Sequence, residues 1–297
     1  MLRVMLDRNS QLAVPDESFF VPLLADRHLL HVDADEFLDD VRRLKTLEEW
    51  AIPLERLRSR LTDRMPIARA IAAVYEVYAE EQGKPRWGDK TPMYMRHLRL
   101  LRRLFPGAQY VHLIRDGRDA AVSFLSMPEG VAFETWAHPR KPADFAALWQ
   151  TEVAAARRLG RRLGPERYLE VRYEELVSEP EAVLARICSF ARLPFEPEMT
   201  DYAGSVSEGK PHQQSLKRPL TAGLRDWHAQ MDPREVGAFE GVAGDLLRKL
   251  GYETSSGADA RGRLKRASYR AQMGAWRTAT FAYRRSPLWR RRHPPLR

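Results

Sequence analysis

The segment VHLIRDGRDAAVS places Arg115 where an apolar run ends, followed by an Asp-Gly turn and a helix start that carries Asp119 and Ser123. A strand feeding a helix N-terminus beside an arginine makes an anion site, because backbone N–H groups and a bidentate guanidinium converge on one point. The same residues also read as an ordinary helix start, with Asp116 as the cap, Arg118 at the surface and Arg115 paired with a neighbouring acid. Upstream, WGDKTPMY sets Lys90 between a short extended run and a helix opened by Pro92. A lysine there delivers a point charge to a transferring group or a leaving oxygen, or is an exposed cation at a strand end. Glu17, in AVPDESFFVP, is the third such residue. Between Pro15 and Phe19-Phe20 its carboxylate can have a raised pKa and act as a general base, while Asp16-Glu17 reads equally as an acidic pair favouring a helix N-terminus.

These residues need elements to hold them. Apolar residues at three- and four-residue spacing predict helices over LRVMLDR, ESFFVPLLADRHLL, DADEFLDDVRRL and MPIARAIAAVYEVYAEEQG, the last stopped by Gly83 and Pro85. KPRWGDK reads as short and extended, and MYMRHLRLLRRLF as an amphipathic helix. AQYVHLIR is the clearest buried strand and leads into the helix GRDAAVSFL; RYLEVRY is a second strand, after the helix DFAALWQTEVAAARRLGRRL. Helices around EELV and EPEAVLARICSFARL, a polar loop GSVSEGKPHQQSLKRP and the helix PREVGAFEGVAGDLLRKLGY complete the body. Strands alternating with long helices predict the α/β class, with a parallel sheet covered on both faces and ligands beyond the C-terminal strand ends. Lys90, Arg115 and Tyr173 each close a strand-like run, and Lys90 and Arg115 share a sheet edge if their strands are parallel neighbours. The sheet is thin without a further strand.

Of 297 residues, 44% are apolar and 30% charged, the balance of a soluble globular protein. No window approaches the roughly 18 apolar residues of a membrane span, and MLRVMLDRNS lacks a secretory-type apolar stretch, which predicts a cytoplasmic protein. The single Cys188, in the apolar pattern AVLARICSF, leaves no internal disulfide and no thiolate-rich metal site. His28 and His31, placed on one helix face, lack a third ligand, so no metal is expected; His112 reads as a satisfied core residue. The net charge of +9 is unevenly spread: residues 258–297 hold 12 Lys+Arg and one acid, a net +11, leaving −2 for residues 1–257. This predicts a body over 1–257 and a basic, partly helical tail over 258–297. The tail either lies against an anionic membrane surface, RNA or another polyanion or acidic partner, or forms a solvated helix with a frayed end. The body is not basic, so no specific nucleic acid is expected.

Together, LRVMLDRNSQLAVPDES, WGDKTP, FPGAQYVHLIRDGRDAAVS, VRYEELVSEPEAVL and LRDW…LLRKLGY resemble the PAPS-dependent sulfotransferases, in particular the tyrosylprotein sulfotransferases and their bacterial relatives, over roughly residues 1–253. The resemblance implies a P-loop-NTPase-like three-layer sandwich whose small parallel sheet is flanked by helices. It implies a sulfuryl group moving from PAPS to an acceptor hydroxyl, with release of adenosine 3′,5′-bisphosphate and no metal. It further implies that Arg115 and Ser123 grip the 3′-phosphate, that Tyr173 approaches the nucleotide and that Lys217 and Arg218 contact it from a covering loop. His212 falls near a position where tyrosylprotein enzymes use a serine to stabilise the transition state. Glu17 becomes the catalytic base and Lys90 the stabiliser of the transferring group. Family members carry a strand and a phosphate-cradling PRSGTT-like loop just before a segment like LRVMLD, and this chain opens where that loop would end, so both are expected to be missing. Either the start lies upstream, or the chain is a truncated relative that binds nucleotide, polyanion or membrane without turnover. Tyrosine peptide, carbohydrate, lipid and small natural product all stay open as the acceptor.

Overall fold

Helix follows apolar periodicity through the first hundred residues of the computed structural model: α1 (Leu2–Asp7), α2 (Phe20–His28), α3 (Ala34–Arg43), α4 (Leu54–Arg60), α5 (Ile67–Glu81) and α6 (Leu98–Leu104). Among them lie four two-residue strands, β1 (Leu12–Ala13), β2 (His31–Val32), β3 (Met65–Pro66) and β4 (Arg86–Trp87). Next come β5 (Tyr110–Ile114), α7 (Gly117–Leu125), α8 (Pro142–Leu163), β6 (Tyr168–Arg172), α9 (Tyr173–Ser178) and α10 (Pro180–Ala191). The chain finishes with α11 (Trp227–Gln230), α12 (Pro233–Lys249) and α13 (Ala260–Arg285). The structure describes residues 1–127, 138–201 and 226–285. They form two compact units, residues 1–110 with 180–201 and residues 111–179 with 226–285.

The first unit is built around α5, whose Ile71, Val74, Tyr75 and Val77 are buried against Phe20 and Leu24 of α2, Phe37 of α3 and Leu57 of α4. Asp33 caps α3 by accepting from the Asp35 and Glu36 N–H groups. Residues 180–201 belong to this unit through long-range polar bonds: Asn9 Nδ2 donates to the Pro194 carbonyl at 2.8 Å and Arg86 Nη1 to that of Ala191 at 2.7 Å. Cys188 is buried there, and burial raises its thiol pKa, which favours an inert thiol. Two local expectations change. His28 ends α2 and His31 begins β2, so they share no helix face, and His28 Nε2 instead lies 2.9 Å from the buried Asp40 carboxylate. The segment read as one helix, MYMRHLRLLRRLF, opens with a 3-10 turn over Pro92–His97, in which Tyr94 turns inward to accept the Val21 N–H at 3.2 Å.

In the second unit, α7, α8, α12 and α13 enclose a core of Ile114, Trp149, Val153, Phe239, Val242 and Leu247. Gly117 opens α7 against this core, and a Cβ there would lie 2.7 Å from the rings of both Trp149 and Phe239. The expected boundary at 257 falls in the turn just before α13. Tyr269 of α13 is buried in the core, Lys265 pairs with Asp144 of α8 at 2.6 Å, and Gly262 lies so close to the Gly241 carbonyl of α12 that a Cβ would overlap it.

The α/β class is as expected, but the sheet is divided among the described residues. β1 pairs with β4 in parallel, β2 with β3 antiparallel, and β5 with β6. Among the described residues, the strand preceding Lys90 thus pairs with β1 and the strand preceding Arg115 with β6. A two-residue strand has few ladder bonds to offer, and β4 spends them on β1, with the Arg86 N–H donating to Gln11 and the Gly88 N–H to Ala13.

Candidate active site

In the first unit, the parallel register aligns Leu12 with Arg86 and Ala13 with Trp87, so the chain leaves both strands at the same edge. Glu17 lies four residues past β1 and Lys90 three past β4, and the two form an ion pair. Glu17 is exposed, not enclosed by Phe19 and Phe20: the ring of Phe20 is fully buried in the helical core instead. The loop carrying Glu17 is pinned on both sides. Arg3 donates to the Val14 carbonyl at 3.1 Å and pairs with Asp16 at 2.8 Å, and the Trp50 indole donates to the Asp16 carbonyl at 3.1 Å. Phe19 sits at φ 54, a strained conformation for a non-glycine residue, between the rings of Tyr94 and His97.

The loop carrying Lys90 is set by α5. Tyr75 stacks on Trp87 with centroids 4.3 Å apart, and its hydroxyl donates to Asp89 Oδ2 at 2.8 Å. Burial raises the Asp89 pKa to about 6, although the hydrogen bonds from Tyr75 and Thr91 oppose the shift. Asp89 thus belongs to the surroundings of the Glu17–Lys90 pair. Its place beside Lys90 in WGDKTP was visible in the sequence, but its burial was not.

In the second unit, Arg115 leaves β5 with its guanidinium 4.6 Å over the Tyr173 ring and 3.8 Å from Asp119 one turn into α7. Ser123 follows Asp119 by four residues, on the same helix face. The Asp119 pKa is raised by burial, against a hydrogen bond from the Trp227 N–H and the field of Arg115. The α7 N-terminus is partly filled by the protein's own carboxylates: the Asp116 N–H donates to Glu174 and the Arg118 N–H to Asp116, both at 2.8 Å. What this unit offers an anion is the Arg115 fork, the Ser123 hydroxyl and the remaining first-turn N–H groups.

Arg118, read as a surface residue, is only 2% exposed. It forks onto Asp116, donates to Glu240 at 2.8 Å and lies 3.8 Å over the Trp227 ring. Burial alone would raise the Glu240 pKa, but hydrogen bonds from Ser255 and Ser256 and the charge of Arg118 hold it below the usual range. His112 is buried, with Nδ1 2.6 Å from the Tyr168 hydroxyl, and burial lowers its pKa to about 4. Of the eight residues singled out from the sequence, Glu17 and Lys90 come together in one unit and Arg115, Ser123 and Tyr173 gather in the other. His212, Lys217 and Arg218 lie outside the described residues. Among the described residues no cluster of three or more metal-ligating side chains occurs, and no helix is long and apolar enough to cross a membrane.

A sequence profile of the sulfotransferase family matches residues 1–197. The chain is 26% identical over 179 residues to protein-tyrosine sulfotransferase A of Caenorhabditis elegans, covering 58% of this chain and 46% of that protein. It is 28% identical over 245 residues to the nodulation protein NoeE of Sinorhizobium fredii, covering 72% and 57%. It spans about half the length of these two relatives. Two solved structures share its fold: the sulfotransferase domain of the curacin biosynthetic pathway, with TM-score 0.56, 23% identity and coverage of 85% of this chain and 93% of that one, and that of the Synechococcus PCC 7002 olefin synthase, with TM-score 0.57, 24% identity and coverage of 85% and 90%.

Proposed function

Because this chain belongs to the sulfotransferase family, we propose that it transfers a sulfuryl group from PAPS to an acceptor hydroxyl, with Glu17 as the base. The observation that carries the reading is the Glu17–Lys90 pair at the shared edge of β1 and β4. Sulfuryl transfer, like phosphoryl transfer, has little covalent work for the protein to do: it needs an aligned acceptor, a base for the acceptor proton and cations where negative charge develops. Glu17 takes the proton as the acceptor oxygen forms its bond to sulfur. The bond from sulfur to the bridging oxygen breaks, and adenosine 3′,5′-bisphosphate leaves with the electron pair while Lys90 offsets the charge. In the resting protein the same lysine holds the carboxylate in place. Arg115, Ser123 and Tyr173 are assigned to the nucleotide: an arginine already braced on an aromatic ring loses less freedom when it grips a phosphate. Lys217 and Arg218 are assigned to its cover, and His212 is assigned to the same nucleotide site.

The test pairs turnover with binding. Glu17→Gln is expected to lower sulfuryl transfer to a panel of hydroxyl acceptors by at least about 100-fold, the usual scale for a general base, with affinity for adenosine 3′,5′-bisphosphate unchanged. The wild-type protein should be stabilised far more by this bisphosphate than by 5′-AMP. Undiminished turnover in Glu17→Gln removes Glu17 as the base, and equal stabilisation by the two nucleotides removes the 3′-phosphate site.

A further inference from the structure

Helices α8 and α13 flank a half-open cavity of about 290 Å³ in the second unit, lined by Gln150, Thr151, Arg158, Arg263, Arg266 and Arg270. Several other arginines are matched with acids: Arg56 with Glu81, Arg58 with Asp35, Arg60 with Glu80 and Arg157 with Glu170. Here four converge, and among the described residues no carboxylate ion-pairs with Arg158, Arg266 or Arg270. Asp245 feels the field of Arg266, but its own bonds go to Arg248 and the Ala258 N–H. Arg263 is held in place by donating to the Ala258 carbonyl at 3.1 Å. Gln150 has its side-chain oxygen shielded from water with no hydrogen-bond donor. Concentrated uncompensated guanidinium charge attracts oxoanions, and a shielded carbonyl oxygen without a donor calls for an N–H or O–H group.

We propose that this cavity binds a small molecule bearing sulfate or phosphate groups together with hydroxyls, as a sulfated or phosphorylated saccharide does. The arginines fork onto the oxoanions, and the Gln150 amide, whose oxygen is shielded from water, turns outward to accept from a ligand hydroxyl. On α13, Tyr269 and Met273 pack into the core while Leu264 and Tyr283 stay exposed, so a membrane surface is an outcome the test must separate. The site stands independently of the sulfuryl-transfer reading.

The experiment is calorimetric titration of the full chain with a trisulfated heparin disaccharide, in the presence of saturating adenosine 3′,5′-bisphosphate so that the nucleotide site contributes no heat. The expected result is saturable binding that Arg266→Gln/Arg270→Gln weakens by about tenfold or more, the scale of lost charge-assisted hydrogen bonds. Arg102→Gln/Arg103→Gln removes the same charge from exposed positions of α6 and should leave affinity unchanged. Arg158→Gln, on α8, gives a second charge removal that spares the α13 seam if the double variant does not fold. Gln150→Leu should weaken the disaccharide and not inorganic sulfate. The proposal is overturned by absence of binding, by equal losses in the α13 and α6 double variants, or by inorganic sulfate binding as tightly as the disaccharide. It is also overturned if the chain ignores the disaccharide and binds only phosphatidylcholine vesicles that contain phosphoinositide.

Discussion

Asp89 is the carboxylate beside the Glu17–Lys90 pair whose titration is displaced. It holds its proton up to about pH 6 in the folded state, against an unperturbed value of 3.8. Between these values the folded protein binds more protons than the unfolded one, so this group's contribution makes stability fall as pH rises from about 4 to 6 and stay reduced above that. Asp89→Asn keeps an oxygen for Tyr75 and removes the buried charge. The variant is expected to lack this decline and to gain of order 2 kcal/mol over the parent at pH 7, read from urea unfolding at pH 4, 5, 6 and 7. Parallel pH profiles for the two proteins would show that Asp89 titrates normally. Residue types were legible at this scale and environments were not. WGDKTP displays Asp89, yet its burial depends on Tyr75, 14 positions earlier on another element. The charge of Arg118 reads as a sign of solvent, yet its partner Glu240 is 122 positions away.

Among the elements, the helices were legible because apolar periodicity and stop signals agree over long windows, as along α5 and α8. β1 was not, because two residues within LAVP are too short to show a period, and so the partner of the Lys90 strand was missed and the Arg115 strand was weighed as its neighbour. The shared exit edge of β1 and β4 joins Lys90 to Glu17. Element packing also explains the glycine of RDGRD. Gly117→Ala would drive a methyl to 2.7 Å from Trp149 and Phe239, and ring displacement in a packed core costs about 1–3 kcal/mol. A loss of that size is expected in urea unfolding, and an unchanged midpoint would show that the rings give way freely.

For the molecule as a whole, the split between −2 and +11 suggested a body with an appended tail. Charge counts cannot show seams such as the Gly262–Gly241 approach or the buried Tyr269. Tyr269→Ala is therefore expected to destabilise the protein by about 2–4 kcal/mol, as for other large core truncations, whereas a solvated tail would tolerate it; thermal unfolding distinguishes the two. The first unit is stitched in a different way. The segment that leads to Glu17 is tied down by residues far along the chain, with Asn9 reaching the Pro194 carbonyl across 185 positions. At about 5–20 residues per second, a ribosome needs about 10–40 s to supply that partner. Throughout this interval the stretch bearing Met5 and Asn9, both fully buried once folded, stands exposed on the nascent chain, the kind of segment that chaperones hold during synthesis.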